Sequence, residues 1–312
     1  MKNVAFVFPG QGSQSVGMGK ALSDAYPEAK AVFEAADDAL KEKLSTLCFE
    51  GPEEALKLTA NTQPAILTVS IAAHAVFAKR FGQATKFVAG HSLGEYSALV
   101  AAGSMSLGDA VRSVRARGTF MQEAVPAGVG AMAAVLGLDA DKVKAICAEA
   151  AQNEVVSCAN FNEPSQTVIA GHTAAVTRAS ELLKAAGAKR VLPLPVSAPF
   201  HCALMQPVIP RLEAVLKGVT FSAPSAPVIT NVEALPNSDA GRTIDLLLKQ
   251  VTGSVRWVEC VQALEANGIT HLVELGPGKV LCGLVKRISK NIECVNVEDV
   301  ASLDKALAAL SA

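Results

Sequence analysis

A serine at position 92 has a glycine two residues away on each side. The segment GHSLG at 90–94 follows the apolar run 87–89 and precedes a helix predicted over 93–102. A G-x-S-x-G pattern between a strand and a helix is typical of a sharp turn that exposes a nucleophilic serine. A side chain at either glycine would crowd such a turn. We therefore predict that Ser92 is a nucleophile, with an ordinary strand-to-helix turn as the alternative.

A serine hydroxyl is a weak nucleophile and needs a general base. His201 is the expected base, because it lies in the loop SAPFHC at 197–202, directly after a predicted strand. Loops after strands are where catalytic residues collect in α/β folds. A structural histidine is the alternative for this position. The other histidines are expected mid-helix, pointing away from Ser92, or at the start of a regular element: His74, His91, His172 and His271.

The glycine-rich segment GQGSQSVGMG at 10–19 follows the first predicted strand. As a dinucleotide-binding loop it fails because Ser15 stands at the third glycine, and as a P-loop it fails because Met18 follows Gly17. An elbow serine needs two amide donors for its oxyanion. The Leu93 amide at the helix start is one candidate and the Gln11 amide is the other, although a plain tight turn is equally compatible with this segment.

Arg117 lies in a predicted helix over 106–124 and shares a face with Ala110, Val114 and Met121. The arginine therefore projects from the apolar stripe towards the interior. A buried guanidinium needs an anionic partner. Either a carboxylate of the protein or an anionic substrate supplies it.

The order of predicted elements indicates an α/β fold. Strands at 4–8, 87–89, 228–230 and 271–275 alternate with helices at 18–39, 63–81, 257–266 and 280–288, which favours a mostly parallel sheet with strands from both chain ends. Between them, 131–194 reads β-α-β-β-α-β, with 162–165 as the hairpin turn, as in a ferredoxin-like unit. We predict a hydrolase-like core at 1–126 and 197–312, and an inserted ferredoxin-like subdomain at 127–196.

Composition excludes several classes of function. The 312 residues include 28 Lys and Arg against 29 Asp and Glu, and a net charge of −1 gives no field that would attract nucleic acid or a membrane surface. The apolar run near the N-terminus is too short for a signal peptide, so a cytoplasmic protein is expected. Seven cysteines without a C-x-x-C pair indicate neither a disulfide framework nor a zinc site, and buried thiols are expected.

Several motifs resemble those of the malonyl-CoA:acyl carrier protein transacylases over essentially the whole chain. They are PGQGSQ at 9–14, GHSLGEYSALVAAG at 90–103, NFN at 160–162, PFHCALM at 199–205 and ELGPGKVL at 274–281. The resemblance implies Ser92 as nucleophile, His201 as base, Arg117 as the ligand of the malonyl carboxylate, and the Gln11 and Leu93 amides as oxyanion hole. It also implies that the backbone carbonyl of Gln250 orients the histidine. Three further residues are expected to contact the substrate: Phe200, Met121 and Asn160. The ring of Phe200 is expected to narrow the room for an α-methyl group.

The resemblance implies malonyl transfer from malonyl-CoA to the phosphopantetheine thiol of an acyl carrier protein by a ping-pong reaction, for fatty-acid synthesis. No metal or other cofactor is expected, and the protein is expected to act as a monomer. The alternatives are a polyketide-pathway acyltransferase, a serine esterase, and a non-catalytic carrier-binding module. Paired basic residues are candidates for carrier docking: Lys189, Arg190, Lys286 and Arg287.

Overall fold

The computed structural model describes residues 2–196 and 198–311. Ser197, the first residue of the predicted histidine loop and of the second core segment, lies outside the described residues, as do Met1 and Ala312. The strands are β1 (Val4–Phe8), β2 (Phe87–Gly90), β3 (Gly130–Leu136), β4 (Val156–Glu163), β5 (Gln166–His172), β6 (Arg190–Pro193), β7 (Val228–Ile229), β8 (Pro236–Asn237), β9 (His271–Leu275) and β10 (Glu293–Val297).

Helices pack around these strands, and one 3₁₀ turn occupies Ala203–Met205. The α-helices are α1 (Lys20–Ala25), α2 (Pro27–Leu40), α3 (Leu44–Glu50), α4 (Glu53–Lys57), α5 (Thr59–Phe81), α6 (Gly94–Ala101), α7 (Leu107–Glu123), α8 (Ala140–Ala151), α9 (Thr173–Ala185), α10 (Val208–Leu216), α11 (Ala240–Thr252), α12 (Trp257–Ala266), α13 (Val280–Ile288) and α14 (Val300–Ser311).

The larger sheet has six strands in the order β10-β9-β1-β2-β7-β8, and all neighbours are parallel except β7 and β8. Strands from both ends of the chain meet in it, as predicted. Every residue of β1 is buried, which explains its uninterrupted apolar sequence. Phe8 of β1 pairs with Gly90 of β2, so the loops that follow these two strands leave the same edge of the sheet.

The smaller sheet has four antiparallel strands in the order β4-β5-β3-β6. Its elements follow one another as β3-α8-β4-β5-α9-β6, the order predicted from the sequence. Side chains alternate between its faces: Ala133 and Val135 pack in one cluster with α8 and α9, while Met132 and Ala134 join the core cluster of the larger sheet. The second face therefore lies against the rest of the molecule.

Two hydrogen bonds join the edge strand β4 to the segment before α12. The Phe161 amide donates to the Val255 carbonyl, and the Val255 amide donates to the Ala159 carbonyl, both at 2.9 Å. Asn160, between the two β4 residues, thus forms a parallel bridge with Val255. The backbone of the smaller sheet is therefore tied to the larger part of the chain.

Some element boundaries differ from the prediction. The helix predicted over 18–39 is two helices, because Pro27 lacks an amide hydrogen and keeps Tyr26 extended, with φ −133° and ψ 121°. The predicted hairpin turn at 162–165 is shorter, since β4 continues through Glu163. Several elements were not predicted from the sequence: α3, α4, α10, β8, α11, β10 and α14.

The expectation that all seven cysteines are thiols is wrong for two of them. Cys282 of α13 and Cys294 of β10 form a disulfide, with Cα atoms 5.1 Å apart. The strand-helix-strand connection β9-α13-β10 brings them together, which a separation of twelve residues without a C-x-x-C pattern does not reveal. The remaining cysteines are buried free thiols. Among residues 2–196 and 198–311, no helix is long and apolar enough to cross a membrane.

Candidate active site

The turn between β2 and α6 holds Ser92 in a left-handed conformation, with φ 53°. A Cβ atom on Gly90 would lie 1.9 Å from the Gly94 carbonyl, and one on Gly94 would lie 2.2 Å from the Phe8 carbonyl oxygen. Neither obstacle is a flexible side chain, so both positions require glycine. The turn thus has the crowding expected of a nucleophile elbow.

Asn231, in the turn that follows the neighbouring strand β7, holds the Ser92 turn by two hydrogen bonds. The Ser92 amide donates to its Oδ1, and its Nδ2 donates to the Gly90 carbonyl, both at 2.7 Å. Asn231 was not among the residues predicted from the sequence. Its position directly after the predicted strand 228–230, where polar residues of parallel sheets meet, was the available signal.

His201 is the hydrogen-bond partner of the Ser92 hydroxyl. Its Nε2 lies 2.8 Å from Ser92 Oγ, and its Nδ1 lies 2.8 Å from the backbone oxygen of Gln250. The carbonyl can only accept, so Nδ1 carries the proton and Nε2 is free to accept from the serine. Burial, aided by the charge of Arg117, lowers the pKa of His201 to about 3. The resting imidazole is therefore neutral.

The other histidines are engaged elsewhere. His91 lines the same cavity as Ser92, but its Nε2 is 2.8 Å from Asn162 Oδ1 and its ring packs on Trp257. His74 contacts the rings of Phe6 and Phe8 on the apolar side of α5. His172 Nδ1 accepts from the Val155 amide, and His271 Nε2 lies 3.6 Å from Glu293.

Arg117 on α7 is 1% exposed and points at Ser92. Its Nη2 donates to Ser92 Oγ at 3.1 Å and to Gln250 Oε1 at 2.9 Å, and its Nη1 donates to Gln63 Oε1 at 2.8 Å. Its Nε is buried without a hydrogen-bond partner among the described residues. Within the same residues no carboxylate comes within 4 Å of the guanidinium. The sequence allowed either a protein carboxylate or an anionic substrate as the partner of Arg117. Among the described residues, the protein does not supply that carboxylate.

The predicted oxyanion donors follow adjacent strands, Gln11 after β1 and Leu93 after β2, and both residues line the cavity. In the part of the chain that the structure describes, neither amide donates to another residue. The Gln11 side chain is turned to Thr59, with Nε2 3.2 Å from its Oγ1. Both amides are thus available to a bound molecule.

Three other predicted residues, Met121, Asn160 and Phe200, also line the cavity. Phe200 is 8% exposed and directly precedes His201. Gln250 is fully buried behind the histidine and lies outside the cavity lining. The structure therefore brings all nine predicted site residues into one region.

Glu95 is a buried carboxyl group of the site that the sequence analysis did not single out. It is 2% exposed, and its Oε2 accepts from the Asn231 amide at 3.0 Å and from Gln250 Nε2 at 2.8 Å. Burial raises its pKa to about 7. The signal was its place in GHSLGE, one turn after Ser92 and facing the interior.

The four candidate docking residues lie towards one end of the smaller sheet or on α13. Arg190 of β6 and Glu163 of β4 lie at the same end of the smaller sheet. The strand pairing places Leu136 and Gln166 between them. Arg287 Nη1 lies 2.8 Å from Glu163 Oε2, so its charge already has a partner. Lys286 and Arg190 are exposed.

These groups define a site for acyl transfer. A hydroxyl touches a neutral imidazole, and a guanidinium without a carboxylate partner among the described residues adjoins that hydroxyl. Gln11 and Leu93, whose amides have no partner in the same part of the chain, line the cavity. The acyl transferase domain family matches residues 5–306. The turn that carries Ser92, the adjoining His201 and the buried Arg117 therefore lie in a domain of that class.

Named relatives narrow the class. The malonyl CoA-acyl carrier protein transacylase of Salmonella typhimurium is 50% identical over 307 residues, which cover 98% of this chain and 99% of that protein. An acyl carrier protein S-malonyltransferase from Vibrio cholerae superposes with a TM-score of 0.95 at 50% identity, covering 98% of this chain and 100% of that one. A chain of a solved complex between a type II PKS acyl-carrier protein and its malonyl-transacylase has a TM-score of 0.96 at 47% identity, covering 99% and 100%. The chain therefore belongs to the acyl transferase domain family, and within it to the malonyl CoA-acyl carrier protein transacylases.

Proposed function

We propose that this protein transfers a malonyl group from malonyl-CoA to the phosphopantetheine thiol of an acyl carrier protein, through an ester on Ser92. The transfer supplies extender units for fatty-acid synthesis. The observation that carries the proposal is the buried Arg117, whose guanidinium touches the Ser92 hydroxyl and lacks a carboxylate partner among the described residues. Such a cation suits an acyl group that carries its own carboxylate.

In the first half-reaction, His201 Nε2 removes the Ser92 proton while Oγ attacks the thioester carbonyl. The Gln11 and Leu93 amides then donate to the oxyanion of the tetrahedral intermediate. As the intermediate collapses, the carbon–sulfur bond breaks and the imidazolium returns its proton to the coenzyme A sulfur. In the second half-reaction the carrier thiol attacks the ester, and the same groups act in reverse order.

Arg117 has one edge suited to a carboxylate. Its Nε and Nη2 hydrogens point to the same side, Nε has no partner among the described residues, and Nη2 contacts the neutral Ser92 hydroxyl. A malonyl carboxylate can therefore accept two parallel hydrogen bonds there. It also offsets the positive charge that lowers the pKa of His201, so the base becomes stronger when the correct acyl group binds.

The remaining assignments are part of the same proposal. Met121, Asn160 and Phe200 contact the acyl group, and Phe200 limits the room beside the malonyl α-carbon. The backbone oxygen of Gln250 orients His201, supported by its 2.8 Å contact with Nδ1. Because this orienting group is neutral, an aspartate-dependent serine esterase fits less well.

We also propose the domain arrangement in full: a hydrolase-like core at 1–126 and 197–312, with a ferredoxin-like subdomain at 127–196. The antiparallel strand order β4-β5-β3-β6, with a helix after β3 and after β5, supports the subdomain. The parallel strands that flank the elbow support the core.

The test is mass spectrometry of the intact protein after mixing with malonyl-CoA. We expect one malonyl group on Ser92, lost again when phosphopantetheinylated carrier protein is added. Hydrolysis without a carrier would favour an esterase, and absence of any acyl-enzyme would favour a carrier-binding module. A second candidate, polyketide-pathway transfer, is raised by the relative solved with a type II PKS carrier. Kinetics with a fatty-acid carrier and a polyketide carrier separate the two.

A further inference from the structure

The side chain of Gln250 joins the two halves of the site. Its backbone oxygen accepts from His201 Nδ1 at 2.8 Å, and its side-chain oxygen accepts from Arg117 Nη2 at 2.9 Å. The residue is fully buried in α11. One residue therefore touches both the proposed base and the proposed carboxylate-binding cation, whereas orienting the histidine uses its backbone alone.

The amide of Gln250 has only one favourable orientation. Its Nε2 lies 2.8 Å from Glu95 Oε2, 3.1 Å from the Ser92 carbonyl oxygen and 3.4 Å from Asn231 Oδ1. If the amide turned over, its oxygen would face these three acceptors and its NH₂ group would face the guanidinium. The Glu95 contact is the shortest of the three, and the same Oε2 also accepts from the Asn231 amide, so this oxygen faces Gln250 as an acceptor. Glu95 thus keeps the Gln250 oxygen on the side of Arg117.

Gln63 holds the other terminal nitrogen of Arg117, but its own orientation is less constrained. Its Oε1 accepts from Nη1 at 2.8 Å, while the only partner of its Nε2 among the described residues is the sulfur of Met121, at 3.9 Å. A thioether is a weak acceptor. Gln250 is therefore the better-fixed partner, and it binds the same nitrogen that reaches Ser92.

Neutral oxygens fix a guanidinium without cancelling its charge. A carboxylate at the same place would form an ion pair and would compete with an anionic substrate. We propose that the side chain of Gln250, oriented by Glu95, is a positioning residue that holds Arg117 beside Ser92 and leaves its charge free for the acyl carboxylate. This inference rests on the proposed malonyl transfer.

The main test is Gln250→Met, which keeps the backbone carbonyl and the approximate volume but removes the side-chain oxygen. The readout is the ratio of kcat/KM for malonyl-CoA to that for acetyl-CoA. A lost hydrogen bond to a charged group should lower this ratio by about tenfold or more. Acetyl transfer, which does not use Arg117, should fall less. A purely structural residue would lower both alike, and an unchanged ratio overturns the inference.

A double-mutant cycle tests whether the effect passes through Arg117. In an Arg117→Ala background, Gln250→Met should leave the ratio unchanged, because there is no guanidinium to position. A fall as large as in the wild-type background would overturn the inference. Glu95→Met removes the acceptor that orients Gln250. It should lower the malonyl-to-acetyl ratio in the wild-type background and leave it unchanged in the Arg117→Ala background. An unchanged ratio in the wild-type background would overturn the role assigned to Glu95.

Gln250→Glu provides a second variant in case the methionine protein does not fold. It is isosteric and sets a carboxylate against Arg117, so the KM for malonyl-CoA should rise more than that for acetyl-CoA. Equal KM changes would count against the inference. Wild-type protein is acylated in parallel: if it accepts no malonyl group, the proposed function fails, whereas normal malonylation with an insensitive ratio in these variants refutes the positioning role alone.

Discussion

Ser92 and His201, whose side chains meet at 2.8 Å, both have left-handed backbone conformations, with φ 53° and 55°. Non-glycine residues seldom adopt this region, and each such residue costs roughly 1–3 kcal/mol. Among the described residues, Lys41, Gln152 and Ala234 also have positive φ, but Ser92 and His201 are the two that the proposed reaction uses. Their surroundings, not their own preferences, therefore hold them in place.

Replacing either residue should separate chemistry from folding. Ser92→Ala should abolish the acyl-enzyme seen by intact mass spectrometry, because no nucleophile remains, while thermal unfolding stays cooperative. His201→Ala should slow malonyl transfer by roughly 10²- to 10⁴-fold, the usual contribution of a positioned base. Malonylation of the Ser92 variant at the normal rate would refute the assignment of the nucleophile.

Arg117→Ala should change which acyl group is preferred. Losing a buried charge-assisted contact costs about 2–4 kcal/mol, so malonyl transfer should fall roughly 30- to 1000-fold. Acetyl-CoA has no carboxylate for the guanidinium and should be affected far less. Arg117→Lys should restore malonyl transfer only in part, because lysine keeps the charge but lacks the two parallel N–H donors of the guanidinium. Parallel losses for the two thioesters, measured as kcat/KM with one carrier protein, would make Arg117 a structural residue.

The pH dependence should reveal the desolvated histidine. Burial and Arg117 lower the pKa of His201 from 6.5 to about 3. The base therefore stays deprotonated as the pH falls, so kcat/KM for acetyl-CoA, which reports the free enzyme, should show no inflection from the histidine near 6.5. Malonyl-CoA is unsuitable for this test, because burial raises the pKa of Glu95 to about 7 and Glu95 acts on Arg117 through Gln250. In Arg117→Ala, removal of the cation raises the histidine pKa, so the acid limb measured with acetyl-CoA should move to higher pH than in the wild type. A shift to lower pH would contradict this reading.

Carrier docking should depend on basic residues that are not already paired. Charge reversal at Lys189, Arg190 or Lys286 should raise the KM for the acidic carrier protein most strongly at low salt, and leave the KM for malonyl-CoA unchanged. Arg287 is bound to the buried Glu163, so its reversal would disturb the fold instead. Lys30→Glu on α2 serves as a surface control. Equal effects on both substrates would argue against a docking role.

The elbow glycines can be tested against a helix glycine with open surroundings. In Gly94→Ala the new Cβ would lie 2.2 Å from the Phe8 carbonyl oxygen, so we expect a loss of about 1–3 kcal/mol in the free energy of unfolding, together with loss of acylation. Gly283→Ala in α13 meets nothing within 4 Å and should raise stability by about 0.5–1 kcal/mol. Denaturant titration measures both. A Gly94 variant as stable as the wild type would show that the turn has spare room.

Local patterns were sufficient to predict much of this molecule. The glycines around Ser92 predicted the turn, and periodicity predicted several strands and helices, among them α12, β9 and α13, whose observed ends agree with the prediction. Asn231 and Glu95 were missed because their importance lies in contacts across 136 and more residues of sequence. The pairing of Cys282 with Cys294 spans only twelve residues, but it depends on how α13 and β10 pack beside β9. Such partners become visible only when the sheet order is known.

The two hydrogen bonds between Val255 and β4 have a consequence for how substrates are told apart. Asn160 lines the cavity and sits between the two tethered β4 residues, so that wall is in position before any thioester arrives. Amide hydrogen exchange at Phe161 and Val255 should accordingly be slow and should not change on acylation. Substrate selection at this wall then depends on how well the thioester fits a surface that is already formed. Both the donor and the acceptor thioester must then fit against this wall as it stands.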